Sequence, residues 1–418
     1  MPSGKFTGHG DLAISALEQN FVNRLIYKNQ LVLPMKIGVG VPLQQPGSPP
    51  AGGPSSTCFR IAKALVKNFS DLELVFLSDH PGVKEDFTAN YDIFKVHYFK
   101  TRTPQIGPKW VRNWVPIRDK ILEEKFDIIW SSSYSSAIAG IKSKSKTIFT
   151  VHGIYWIEDK YFPWRYYPRM RIEKMIATLY LPSIFKRCSG IVAISEYNKE
   201  ECIKKGLNHR NFAVIDTPID EIYFEPVNEK ESEKPMVLCV GTVSSRKNHH
   251  NLIKAMARVC KKIPDAKLVI AGMIDNLKYF ELLKKLVTEN NLHKNVEFMN
   301  APPANEVLKL YARTWVFALP SYDESLSLAT IEAMALGKPV VVANTSAFPY
   351  TTENGKCGFL CNPDKPDEIA NAIIQLLEDK QLREKFGMAG KEIARRRFHP
   401  DTQAKKYMEF FRKICYSE

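Results

Sequence analysis

Nowhere in the 418 residues does an apolar run reach the length of a membrane span. A helix crossing a bilayer needs about 20 nearly uninterrupted apolar residues, and the longest runs, such as Met236–Val240 and Val340–Ala343, are strand-sized. Residues 1–30 also lack a basic segment followed by an apolar one: Lys5, Asp11, Glu18 and Arg24 are interspersed with apolar residues, so no secretory signal is read there. The eight cysteines follow no framework spacing. Cys357 and Cys361 are the closest pair, without a second pair or a nearby histidine, and all eight read as reduced thiols. No repeat of solenoid length occurs. These absences exclude a membrane-spanning and a disulfide-stapled secreted protein, and the expected location is the cytoplasm.

What is present is an ordinary globular composition, 44% hydrophobic and 25% charged, in a chain longer than one core usually grows. Two domains are expected. The formal charge is +14; Lys and Arg exceed Asp and Glu by ten over residues 1–220 and by four over the rest. Such a bias attracts nucleic acid, anionic lipid or a phosphorylated substrate and does not choose among them. Short apolar, β-branched runs recur at Met35–Val41, Leu72–Leu77, Thr147–Val151, Gly190–Ile194, Met236–Val240, Lys267–Ala271, Val316–Leu319 and Val340–Ala343. Most read as buried parallel strands. Helix-period stretches lie between them, such as Thr57–Lys67 and His249–Lys262. Alternation of the two predicts an α/β fold of two facing Rossmann-like domains with a cleft between them. The polar run Glu229–Lys234 precedes a fresh strand and sets a boundary near residues 225–234. The expected organisation is an extension over 1–34, a first domain over 35–225, a second over 226–400, and a helix over 401–418 crossing back to the first.

Two constellations carry chemistry. Val240-Gly241-Thr242-Val243-Ser244-Ser245-Arg246-Lys247-Asn248 leaves a strand at a glycine and enters a helix near His249. A helix N-terminus favours anions, and Arg246 with Lys247 adds charge-assisted donors suited to phosphate; a solvated Arg-Lys pair opening a surface helix is the alternative. The second runs from Leu319 to Pro339: a strand ends at Pro320, a loop carries Glu324, and a helix from about Ser327 to Leu336 carries Glu332. Carboxylates placed on loop and helix can accept hydrogen bonds from a vicinal diol; a surface glutamate plus one favouring the helix dipole is the plainer reading.

Glu324 and Glu332, eight apart in the frame Pro320-Ser321-x-x-Glu324…Ile331-Glu332-Ala333-Met334-Ala335-x-Gly337-x-Pro339-Val340-Val341, resemble the signature of retaining GT-B glycosyltransferases of the family 4 type. The segment from Gly241 to Asn248 is similar to that family's diphosphate loop, and the resemblance extends over roughly residues 35–400, weaker in the first half. It implies that Arg246 and Lys247 neutralise a donor diphosphate, that Glu332 holds ribose hydroxyls, and that Glu324 touches the transferred sugar. Gly241 and the backbone of Ser325, Leu326, Ser327 and Leu328 would lie near the phosphates. The family often has arginine directly after the loop glycine, where this chain has Thr242, and Gly-Phe-Gly where it has Ser325-Leu326-Ser327, so the donor pocket is expected to be narrower.

In the first half, Gly52-Gly53 stands where the family places a glycine pair beside the phosphates, His152 resembles its histidine that contacts the donor sugar, and Ser195-Glu196 resembles its Val-Ser-Glu turn, for which helix capping is a sufficient explanation. No Asp-x-Asp occurs, which removes the usual carboxylate pair for a divalent cation. The resemblance therefore implies a metal-independent hexosyltransferase without a cofactor, using a nucleotide-sugar donor and a glycan or lipid-linked acceptor. Front-face substitution is expected, the leaving phosphate accepting the acceptor's proton. Aromatic and basic residues mix at Lys109, Trp110, Arg112 and Trp114, and at Phe162, Trp164, Arg165, Tyr166, Tyr167, Arg169 and Arg171. They suit an anionic membrane surface at its inner face or simple packing between strands. The rivals are an epimerase of the same fold, which would turn over without acceptor, and a basic nucleic-acid-binding protein, against which stands the lack of a recognition helix or RNA-binding motif.

Overall fold

The computed structural model describes residues 34–50, 53–101, 110–158 and 168–416. The first 33 residues, Gly52, Lys109, Phe162, Trp164, Arg165, Tyr166 and Tyr167 lie outside the described residues.

The first sheet has eight strands: β1 Met35–Gly40, β2 Leu72–Ser78, β3 Phe87–Tyr91, β4 Phe94–Tyr98, β5 Ile128–Ser131, β6 Thr147–Val151, β7 Gly190–Ala193 and β8 Phe212–Val214. Their order is β3-β4-β2-β1-β5-β6-β7-β8. All neighbours are parallel except the hairpin β3–β4 at the edge. β1 is central, with Ile37 opposite Leu74 of β2 and Ile128 of β5. The helices of this half are α1 Gly53–Asn68, α2 Trp110–Glu124, α3 Tyr134–Lys142, α4 Tyr155–Glu158, α5 Pro168–Arg187 and α6 Glu196–Lys204.

The second sheet is wholly parallel, with β9 Met236–Val240, β10 Lys267–Ala271, β11 Val296–Met299, β12 Val316–Leu319, β13 Val340–Ala343 and β14 Gly358–Cys361 in the order β11-β10-β9-β12-β13-β14. Its helices are α7 His249–Lys262, α8 Leu277–Glu289, α9 Ala304–Arg313, α10 Leu328–Ala335, α11 Phe348–Thr351, α12 Pro366–Glu378 and α13 Lys380–Phe398. α7 packs against α12, and α10 against α13, so both faces of the sheet are covered. This explains why its strands read as unbroken apolar runs: Val340 to Ala343 are all fully buried.

The last helix, α14 Pro400–Tyr416, returns to the first domain and packs on α1. Ala404, Tyr407, Met408, Phe410, Phe411 and Ile414 join the core around β1, and the Trp130 ring lies 4.8 Å from that of Tyr407.

Differences from the sequence reading are local. α1 begins at Gly53, ahead of the expected stretch Thr57–Lys67, and Ser327 is the N-cap of α10 rather than its first residue. The expected strands lack β3, β4, β5, β8, β11 and β14: β3 and β4 form an edge hairpin, which needs no continuous apolar run, Phe87–Tyr91 being largely exposed on alternate residues, and the other four are only three or four residues long. Among the described residues no helix is long and apolar enough to cross a membrane.

Candidate active site

At the carboxyl end of β9 the chain turns at Gly241, whose φ of 146° an L-side chain rarely adopts. A Cβ at Gly241 would lie 3.2 Å from Cε of Lys247, so the lysine stem lies across the glycine. Ser245–Lys247 forms one tight turn, and Asn248 follows in the left-handed region at φ 59°. Asparagine tolerates that conformation, and its Nδ2 donates to the carbonyls of Pro320 at 2.9 Å and Pro363 at 2.7 Å. The loop after β9 is thereby fastened to the loop after β12.

That fastening brings three predicted residues into contact. Lys247 Nζ lies 2.7 Å and Arg246 Nη1 3.0 Å from the same oxygen, Oε1 of Glu324. Ser321 Oγ donates to it at 2.9 Å, and Arg246 Nη1 also reaches the carbonyl of Asp323 at 2.5 Å. Burial alone would push the Glu324 carboxyl up, but Lys247 and then Arg246 outweigh it and hold it below the usual carboxylate range. Two cations against one carboxylate leave one positive charge, with Lys247 buried and Arg246 partly exposed. The arrangement attracts an anion and offers it an already oriented ammonium and guanidinium.

Beside it, Ser327 caps α10, its Oγ accepting from the Thr330 amide at 3.4 Å. The first-turn amides of a helix have no intrahelical acceptors, so the backbone around Ser327 and Leu328 presents donors at this end of the cleft. Leu326 is buried. Glu332 stands one turn into the helix, half-buried, with Tyr311 OH 2.9 Å from its Oε2. Burial raises the Glu332 carboxyl above its ordinary value, only partly opposed by the Tyr311 hydrogen bond and the charge of Arg60. Arg60 belongs to α1, so Glu332 feels the first domain electrostatically.

His152, at the carboxyl end of β6, is partly exposed, and its Nε2 lies 3.0 Å from Ser132 Oγ. Ser132 Oγ is in turn 3.0 Å from Cys58 Sγ on α1. Burial pushes the imidazole down to about 4, so the ring is neutral at pH 7. Gly53 opens α1 with nothing within 4 Å of where a Cβ would stand. His152 makes no direct contact with the Glu324 cluster. It is linked instead through α6: Asn198 Nδ2 donates to the carbonyl of Val151 at 3.2 Å, and Ser195 Oγ donates to the carbonyl of Ser325 at 2.6 Å.

Several participants escaped the sequence reading. Tyr311, Arg60, Ser132 and Tyr197 carry no local motif, and Ser321 stands in the Pro-Ser-x-x-Glu frame without a role read for it. Asn248 closes the segment that resembles the diphosphate loop, but its bonds to the carbonyls of Pro320 and Pro363 were not legible there. Asp79, at the end of β2, is buried with Oδ2 accepting from Ser135 and Oδ1 without a hydrogen-bond partner. Glu221, His399 and Asp401 bring potential metal-ligating atoms within 4.8 Å where the chain crosses between domains, but Lys67 already pairs with both carboxylates.

Residues 221–393 match the family described as glycosyl transferases group 1, and residues 51–221 match glycosyltransferase family 4. The chain is similar to the GDP-mannose-dependent alpha-(1-6)-phosphatidylinositol monomannoside mannosyltransferase of Mycobacterium tuberculosis, 29% identical over 187 residues, 43% of this chain and 48% of that protein. It is also similar to the D-inositol 3-phosphate glycosyltransferase of Corynebacterium diphtheriae, 22% identical over 84% of this chain and 88% of that protein. The matches to the first curated relatives span about half of their length. Among solved structures, sucrose-phosphate synthase of Thermosynechococcus elongatus superposes with a TM-score of 0.72 at 19% identity, covering 91% of this chain and 99% of that one. Anabaena Alr3699/HepE in complex with UDP and glucose gives 0.68 at 20% identity, covering 90% and 98%.

Proposed function

As the chain belongs to the group 1 glycosyl transferases, with a family 4 first half and a GT-B fold, we propose that it transfers a hexose from a nucleotide diphosphate sugar to a hydroxyl of a glycan or lipid-linked acceptor. The convergence of Lys247 and Arg246 on Glu324, beside the N-terminus of α10, carries this reading. A diphosphate entering there replaces part of the carboxylate's pairing and meets cations already in place, so little reorganisation accompanies charge development on the leaving group. Glu332 receives the ribose hydroxyls, and Glu324 and the neutral His152 face the transferred sugar.

In this proposal the protein's own cations take the role of a divalent metal and no cofactor takes part. The reaction retains anomeric configuration by front-face substitution: the acceptor oxygen bonds to the anomeric carbon as the bond to the phosphate oxygen breaks, and that oxygen takes the acceptor's proton. A covalent glycosyl-enzyme trapped from the wild type overturns this route. The named relatives act on GDP-mannose, phosphatidylinositol monomannoside or D-inositol 3-phosphate, which favours a polyol or lipid-borne acceptor. Ile172, Met175 and Leu179 form an exposed apolar stripe on α5, with Lys186 and Arg187 exposed in its last turn. This supports a cytoplasmic enzyme resting on the inner face of an anionic membrane, and liposome flotation independent of anionic lipid would discard that part.

The test is thermal stabilisation by UDP, GDP, ADP and their sugars, since a ligand of the native state raises the melting temperature according to its affinity. Stabilisation by one base series, lost in Glu332→Ala, is the expected result. No stabilisation by any nucleotide sinks the reading.

A further inference from the structure

The Ser195-Glu196 turn is adequately explained by capping when read alone, yet its side chains do more than cap. Ser195 Oγ accepts from the Asn198 amide at 3.2 Å, closing the first turn of α6, and donates across the cleft to the carbonyl of Ser325 at 2.6 Å. Tyr197 OH, on the same turn, donates to Asp323 Oδ1 at 3.1 Å. Asn198 ties the turn back to the carbonyl of Val151, the residue before His152.

The loop that carries Glu324 is therefore held from both domains. Asp323 is held by both, its carboxylate by Tyr197 of the first domain and its carbonyl by Arg246 and Ser321 of the second. Glu324 is held by the second, its amide donating to Ser346 Oγ at 3.1 Å and its carbonyl accepting from the Ala347 amide at 3.1 Å. Ser325 is held by Ser195 of the first. Ser195 and Asp323 are buried, so these bonds are poorly replaced by water.

We propose that Ser195 and Tyr197 are positioning residues that register the Asp323–Ser325 loop against His152, so that the two halves of the cleft reach working geometry only while α6 grips the loop. This role rests on the donor-cleft reading above. Neither side chain needs to touch substrate: they set where Glu324 and the adjoining backbone stand.

The test is hydrogen–deuterium exchange of the segment 321–328 in the ligand-free full chain, with Tyr197→Phe, Ser195→Ala and Ser195→Thr. Tyr197→Phe leaves the α6 cap intact and removes one hydrogen bond to a carboxylate, so exchange in this segment should quicken about tenfold while that of residues 241–247 stays unchanged. Ser195→Thr, which keeps the hydroxyl, should restore what Ser195→Ala loses. With the nucleotide sugar that stabilises the wild type, Tyr197→Phe should lower kcat about tenfold and keep the stabilisation given by the free nucleoside diphosphate, which the second domain holds. Wild-type exchange in the segment for both Tyr197→Phe and Ser195→Ala overturns the proposal; if Ser195→Ala fails to fold, Tyr197→Phe alone decides. Failure of every nucleotide to stabilise the wild type, with the loop still loosened, rejects the functional reading and not the grip.

Discussion

Lys247 Nζ and Arg246 Nη1 meet at a single oxygen of Glu324, 2.7 and 3.0 Å away, although the glutamate stands on a different loop some 77 residues further along the chain. In the proposed reading each cation is held where a diphosphate would arrive, and the Glu324 carboxylate offsets the repulsion between the two. Replacing either cation by alanine should lower turnover by roughly 10²–10³. Steady-state kinetics with the stabilising nucleotide sugar checks this, and wild-type turnover in both variants would remove the phosphate assignment.

The two glutamates should respond to pH in opposite directions. Glu324 titrates below the ordinary carboxylate value, so the stability it contributes is present above the unfolded pKa of about 4.3 and is lost as pH falls through its lower folded value. Glu332 titrates above it, so its contribution is present below about 4.3 and is lost as pH rises through its higher folded value. Melting temperatures from about pH 3 to about pH 7 should show Glu324→Gln losing ground to the wild type as pH rises to about 4.3 and holding level above it, and Glu332→Gln gaining as pH rises beyond about 4.3. Parallel curves would contradict the assignment.

Gly241→Ala combines an unfavourable φ with a methyl group pressed on the Lys247 stem. A loss of about 1–3 kcal/mol in denaturant unfolding is expected, together with weaker stabilisation by nucleotide, since the displaced lysine no longer reaches Glu324.

Asn248 separates backbone from side-chain effects. Asn248→Gly keeps the left-handed turn and loses the hydrogen bonds to Pro320 and Pro363, for about 1–3 kcal/mol. Asn248→Ala should cost about 1 kcal/mol more, because the turn itself is strained. Equal losses by denaturant titration would show that the φ of 59° carries no cost.

Because the His152 ring is already neutral, titrating only near 4, the pH profile of kcat/KM should show no inflection from it between about pH 5.5 and 8. An inflection near 6.5 that His152→Asn abolishes would place the ring in a more solvated setting.

The strands β9, β10, β12 and β13 are legible from sequence because burial on both faces writes a continuous apolar run. The hairpin β3–β4 is not, since Phe87, Ala89 and Tyr91 alternate with exposed residues at an edge. The same contrast governs the site. Arg246, Lys247, Glu324 and Glu332 sit in local frames that carry a recognisable pattern. Tyr311 meets Glu332 only because α9 and α10 flank β12, and Arg60 acts on Glu332 from another domain. Tyr197 and Asp323 are 126 residues apart, and nothing near either announces the other. Partnerships made by tertiary packing leave no trace in spacing.

The return of α14 also shapes the order of events during synthesis. Trp130 and its neighbours wait for Tyr407 and Phe411, which leave the ribosome only after the whole second domain has been made. The half translated first therefore completes its core last, and until α14 arrives the apolar seat that it fills on α1 stays open.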